Sequence, residues 1–143
     1  MSRILSNYLA GGKPPITTGR SKPQHDPFDS GMWPVHRREF LGEPTAWRHD
    51  PAVHVLGPDR AEDSAHVPIL IDATDLAQAG DRIVVTVDYS PFPQTLTFYP
   101  MRARPLLGFG VKYEIGGALR ASAQVAPGEW AMGGVFINAM GGG

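Results

Sequence analysis

The 143 residues contain no cysteine. That absence excludes disulfides, thiolate metal sites and a cysteine nucleophile within the chain. It leaves the compartment open, because oxidising and reducing spaces both tolerate it. Long apolar runs are missing too: none approaches the ~20 residues a membrane helix needs, so no membrane insertion is expected. Near the start, Arg3 precedes Ile4, Leu5, Tyr8 and Leu9, but Ser6 and Asn7 break the stretch. It makes a poor signal-peptide core. The expectation is a protein that is not exported, or one whose export signal has been removed. Neither sign of charge dominates: 13 basic and 14 acidic residues give a net charge of −1. A nucleic-acid binder should carry a clustered basic excess, and a membrane-surface binder a polybasic patch. Neither partner is expected.

Chemical motifs are equally scarce. The five histidines, His25, His36, His49, His54 and His66, never pair at the two- or four-residue spacing that places two ligands on one strand or helix face. Pro51 redirects the chain between His49 and His54. Scattered surface and loop histidines, and no metal site, are the expectation. Asp59, Glu62 and Asp63 cluster in a turn before a strand, and Asp72 and Asp75 flank a loop. Turn and cap chemistry accounts for both groups without a catalytic pair. No phosphate-binding Gly-Lys-Ser/Thr loop occurs, and no strand–glycine–helix unit for a dinucleotide. The chain reads as no enzyme and as having no cofactor.

Glycine and proline are abundant, with 17 and 14 residues, and 42% of the chain is hydrophobic. The length suits one domain, and the apolar content suits one core. Residues 1–31 lack any period and read as an irregular arm. A helix of about two turns is expected at 34–41, with Pro34 at its first turn, Gly42 past its end, and Met32, Val35, Phe40 and Leu41 toward one side.

From Ala52 the period changes to two. Candidate strands lie at 52–56, 67–72, 82–89, 94–99, 107–115, 119–125 and 130–137. Pro68 suggests an edge or an irregular start. Gly116-Gly117 reads as a hairpin turn, and Pro127-Gly128 as another turn. In the last strand Trp130 and Met132 are out of phase with Val135 and Ile137, which predicts a β-bulge at Gly133-Gly134. About seven short strands with frequent turns predict an all-β, immunoglobulin-like sandwich over 32–138, with a closed barrel as the alternative.

Three segments stand out. Asp88-Tyr89-Ser90-Pro91-Phe92-Pro93 is a stiff, aromatic hairpin tip. Tyr89, Pro91, Phe92 and Pro93 are therefore candidate partner contacts. Met32-Trp33-Pro34 can staple the short helix, and Met32 and Trp33 are further candidate contacts. At the C-terminus, 139–143 ends in Gly141, Gly142 and Gly143, a candidate flexible arm.

The order of these segments resembles the SoxY family, the Y half of the SoxYZ carrier of bacterial thiosulfate oxidation. Glu62-Asp63-Ser64-Ala65-His66-Val67-Pro68 is similar to the segment before an early strand of that family. Ser90-Pro91-Phe92-Pro93, followed by Gln94-Thr95-Leu96-Thr97-Phe98, resembles its Asn-Pro-x-Pro loop and next strand. Asp26-Pro27 and Met32-Trp33-Pro34, with Trp130, Gly133-Gly134 and Gly141-Gly142-Gly143, resemble most closely the SoxYZ-like carriers associated with quinoprotein dehydrogenases. The resemblance covers about residues 26–143.

The resemblance implies an immunoglobulin-like sandwich and a periplasmic setting. It also implies a hetero-oligomer with a SoxZ-like sandwich domain or a redox-enzyme subunit, and a non-catalytic carrier role. In that role sulfur intermediates ride on a cysteine in the glycine-rich tail. The sequence departs from the family at that point, since it reaches Gly143 without a cysteine. The expectation is either a chain cut before that cysteine and a SoxZ-like domain, or a member that lost carrier chemistry and kept its sandwich for binding or assembly.

Overall fold

The computed structural model describes residues 25–42, 46–77 and 81–139. Among these residues one helix, α1 (Trp33–Leu41), precedes nine strands: β1 (Ala46–His49), β2 (His54–Leu56), β3 (Arg60–Ala61), β4 (Val67–Asp72), β5 (Ile83–Val87), β6 (Gln94–Phe98), β7 (Leu106–Val111), β8 (Gly117–Ala126) and β9 (Glu129–Ala139). They form two sheets. The larger has the order β1-β9-β8-β5-β6, with β3 also beside β9; the smaller is β2-β4-β7. All seven expected strands are present in an all-β, immunoglobulin-like sandwich. The two additions, β1 and β3, have four and two residues and are too short to show a period. Both run parallel to β9.

Alternation builds the core. Val55, Ile69 and Ile71 from the small sheet meet Ile83, Val85, Leu119 and Ile137 from the large one. Each such side chain, once buried, contributes about 1.5–3 kcal/mol toward offsetting chain entropy. Pro68 lies in the half of β4 that pairs with β7 alone, since β2 reaches only Leu70, Ile71 and Asp72. The missing N–H there costs no second ladder bond.

The expected bulge at Gly133-Gly134 is absent. Both residues pair in register with Ala121 and Arg120, and the register instead shifts between Gln124 and Ala126. The phase change has another cause: β9 is buried on both faces. Ala131 and Ile137 face the sandwich interior, while Trp130 and Met132 join Trp33, Leu41, Trp47 and Val84 in a second core under α1. The glycines are there because neighbours approach closely. A Cβ on Gly133 would lie 2.1 Å from the Val53 carbonyl oxygen, and one on Gly134 would lie 2.8 Å from Phe28.

Two other expectations also change. Gly116-Gly117 is no hairpin turn, because β7 pairs with β4 in one sheet and β8 with β5 and β9 in the other. The segment crosses between sheets, and β7 ends at Val111. The helix starts one residue earlier than expected and buries Trp33, His36 and Leu41, with Pro34 in its first turn. Val35 is 44% exposed, since its position on the helical period turns it away from the sheet.

Candidate functional site

β9 delivers the chain to one end of the sandwich. There Ile137 pairs with Gly117 of β8 on one side, while Asn138 and Ala139 pair with Arg60 and Ala61 of β3 on the other. The Asn138 backbone N–H donates to the Asp59 carbonyl at 2.8 Å. Ile137 is fully buried. The strand is therefore held by β8 up to Ile137 and by β3 up to Ala139.

The β5–β6 tip and the sheet-crossing segment 112–116 share that end, because Val87 pairs with Leu119 only two residues from Gly117. Several bonds close the tip on itself. The Val87 N–H donates to Pro93 O at 2.8 Å, the Ser90 N–H to Val87 O at 3.3 Å, and the Phe92 N–H to Ser90 Oγ at 3.1 Å. Two prolines add stiffness. The result presents Phe92 at 81% exposure, with Ile115 and Tyr89 also exposed. A cleft of about 130 Å³ lies among Val87, Tyr89, Pro91, Phe92, Tyr113 and Ile115. Buried Tyr113 anchors its floor: its N–H donates to Ser64 O at 2.8 Å, and its hydroxyl donates to Gly117 O. Burial, with the nearby Asp88 carboxylate, pushes the Tyr113 phenol above its usual range.

On the other side of the chain exit, a shallower cleft of about 510 Å³ is lined by Asp59, Arg60, Glu62, Asp63, His66 and Pro68 among others. Its charges are mixed. Among the described residues no cluster of His, Asp or Glu is arranged to hold a metal ion.

The base of the tip is tied to the rest of the molecule by a fully buried arginine. Arg120 Nε and Nη2 donate to Asp88 at 3.2 and 2.9 Å. Its Nη1 and Nη2 donate to Asp26 at 2.7 and 3.0 Å. The guanidinium carbon sits 4.4 Å from the Trp33 ring centre and 5.0 Å from that of Phe28. Burial alone would raise the Asp26 carboxyl, but the Arg120 bonds and charge, with the Ser30 and Phe28 N–H groups, hold it below its ordinary value. Two ion pairs sharing Arg120 thus join the tip, through Asp88, to β8 and to the segment before α1, and the Trp33 ring adds α1 itself.

The family profile of the sulfur oxidation protein SoxY matches residues 37–143. The chain belongs to the SoxY family. The sulfur carrier protein SoxY from Chlorobium limicola f thiosulfatophilum has the same fold, with a TM-score of 0.66 at 14% identity, covering 76% of this chain and 96% of that one. A superoxide reductase (neelaredoxin) variant from Ignicoccus hospitalis aligns at a TM-score of 0.49 and 14% identity, over 61% of this chain and 78% of that one, too weakly to bear on function. No curated protein matches.

Within this SoxY-family domain, Tyr89, Pro91, Phe92 and Pro93 come together at the end where β9 leaves. Met32 and Trp33 lie elsewhere, at the start of α1. Trp33 is 1% exposed and offers no face to a partner; it packs on Trp47 and Arg120. Gly141, Gly142 and Gly143 lie outside the described residues, as do residues 1–24. Residues 25–31, read as part of an irregular arm, are anchored to the sandwich through the Asp26–Arg120 bonds.

The sequence reading missed Arg120. It sits in Ala118-Leu119-Arg120-Ala121-Ser122, on the face that alternation assigns to solvent, and the helix covers that face. A lone arginine among small residues was the available signal. No described helix is long and apolar enough to cross a membrane.

Proposed function

We propose that this domain is the non-catalytic carrier or partner half of a bacterial system that oxidises sulfur compounds such as thiosulfate. Its work is positional. The sandwich fixes the end of β9, and Gly141, Gly142 and Gly143 act as an arm that brings a bound group to successive enzymes. Their role is reach, not chemistry. One observation carries this reading: a strand paired with β8 through Ile137 and with β3 through Ala139 is followed, after Met140, by a glycine run in the sequence of a chain that matches SoxY over residues 37–143. The description of the Chlorobium protein as a sulfur carrier supports the same class of role.

Carrier chemistry needs a thiolate. Joining it to thiosulfate forms an S–S bond and releases two electrons, which a cytochrome partner accepts. The 143 residues supply no such group, and the Met140 thioether cannot form that adduct. A cysteine beyond Gly143 in the native polypeptide would supply it. The exposed tip Tyr89, Pro91, Phe92 and Pro93, with Met32 as a lesser contact, meets a SoxZ-like sandwich domain or a redox-enzyme subunit in a periplasmic hetero-oligomer. The alternative reading is an assembly subunit of a quinoprotein dehydrogenase-type complex, held through the same exposed tip.

Intact mass of the native protein separates the two. Incubation with thiosulfate and the cytochrome partner should add the mass of a thiosulfonate adduct to a cysteine. A native protein whose mass is unchanged under those conditions would remove the carrier reading and leave the assembly role.

A further inference from the structure

We infer that the loop joining β6 to β7, residues 99–105, is a second docking surface, built to receive an acidic patch on a partner protein. The inference goes beyond the carrier reading and stands independently of it.

The composition of this stretch is one-sided. From Tyr89 through Tyr113 the chain has no acidic residue and three basic ones, Arg102, Arg104 and Lys112. Lys112 is paired with Glu114 at 3.0 Å. Arg102 and Arg104 are exposed, and among the described residues neither forms an ion pair. Two unneutralised guanidiniums therefore stand on a chain whose net charge is −1.

The loop is shaped in advance. Pro100 and Pro105 bracket it. The Ala103 N–H donates to Pro100 O at 2.8 Å, the Leu106 N–H to Arg104 O at 2.8 Å, and the Ala73 N–H to Pro105 O at 2.9 Å. At the crest Met101 has a φ of +54°, a left-handed conformation that a side chain of this kind rarely adopts. That turn holds Met101 at 90% exposure, with Tyr99 at 59% beside it. A solvated connection has no need of a strained, exposed thioether between prolines. A contact surface gains from an adaptable apolar knob flanked by two planar cations. Because the shape exists before binding, little ordering entropy remains to be lost on docking.

Charge decides the partner class. Two guanidiniums and two apolar side chains match carboxylates around an apolar socket, since arginine forms bidentate pairs with carboxylates. Two cations on a net acidic domain are a weak footprint for a nucleic acid. The loop also lies at the end of the sandwich away from Ala139: Phe98 pairs with Ile83 and Leu106 with Asp72, whereas the last residues of β9 adjoin Gly117 and Arg60. A partner held here leaves that exit uncovered.

The test uses the full chain, isotope-labelled for NMR, titrated with a synthetic peptide in which glutamates flank leucine and phenylalanine. Amide shifts should move at 99–106 and not at 89–93 or 137–139. Raising salt from about 20 to about 200 mM should weaken binding. The pair Arg102→Glu and Arg104→Glu should weaken it at least tenfold, with an unchanged spectrum elsewhere showing that the fold is kept. Met101→Gly, which relieves the strained φ and removes the knob, should weaken it with no loss of stability. Absence of shifts in the loop, or equal affinity for the charge-reversed pair, overturns the inference. Equal or tighter binding of a short oligothymidine or of phosphatidylglycerol vesicles at the same loop overturns the assignment to a protein.

Discussion

The residues around Arg120 bind their protons unevenly. His49 sits beside Phe28 and Trp47. Burial, then the Arg120 charge, lowers its pKa from 6.5 to about 4, with Asp26 opposing in part. A base with a depressed folded pKa stays neutral in the fold while the unfolded chain takes up a proton. Its contribution is therefore complete above pH 6.5 and is lost as pH falls toward 4. Asp26, a carboxyl held below 3.8, contributes stability that is complete above that value and is lost below it. Both groups weaken the fold on the acid side, His49 first. His49→Phe keeps a ring in place and removes the titration. The denaturation midpoint of the parent should fall between pH 7 and 4.5, and that of the variant should fall less. The difference should reach about 1–2 kcal/mol at pH 5. Parallel curves for the two proteins would show that His49 is not the group responsible.

β9 shows how much a single element can hide. Its two apolar phases were visible in Trp130, Met132, Val135 and Ile137, and its glycine pair was visible too. What could not be read was that a helix 90 residues earlier covers the second face, because nothing local to a strand reports what packs on it. The same blindness hides the burial of Arg120 and makes a crossing between sheets at Gly116-Gly117 look like a hairpin. The inside–outside rhythm from β2 to β9 was legible, because period-two alternation is a local property of each strand. The glycines of β9 can be tested directly. Gly133→Ala would place a methyl 2.1 Å from a backbone oxygen of Val53, held in a turn whose Val53 N–H donates to Asp50 O. The backbone must move, at a cost of about 1–3 kcal/mol. Gly108→Ala in β7 meets nothing nearer than 3.8 Å and should change stability by no more than about 0.5 kcal/mol. Equal urea midpoints for the two variants would mean that the close approach does not constrain the strand.

Across the whole molecule, aromatic residues do two separate jobs. Trp33 of α1 packs with Trp47 and Trp130 of the sheet and ties the helix to it. Tyr89 and Phe92 stand outside on a tip whose base, Asp88, is bonded to the buried Arg120. The sequence marks Trp33 as a candidate contact alongside Tyr89 and Phe92, because an aromatic near proline looks the same whether it is covered or not; only the fold separates them. The anchoring keeps an exposed loop stiff, which is what the proposed partner contact requires. Movement of the tip would pull Asp88 from the arginine and leave buried charge unpaired, so the tip shares the stability of the core. Phe92→Ser should then leave the denaturation midpoint within about 0.5 kcal/mol of the parent, since an 81% exposed ring contributes little to the fold. The same change should weaken binding to a SoxZ-type partner by tenfold or more, measured by calorimetry, because a rigid exposed aromatic is the kind of side chain on which interface energy concentrates. Trp33→Ala should do the reverse: it should lower stability by about 3–5 kcal/mol, and any loss of binding should follow the unfolded fraction. A Phe92→Ser domain that binds with full affinity would move the partner interface away from this end of the sandwich.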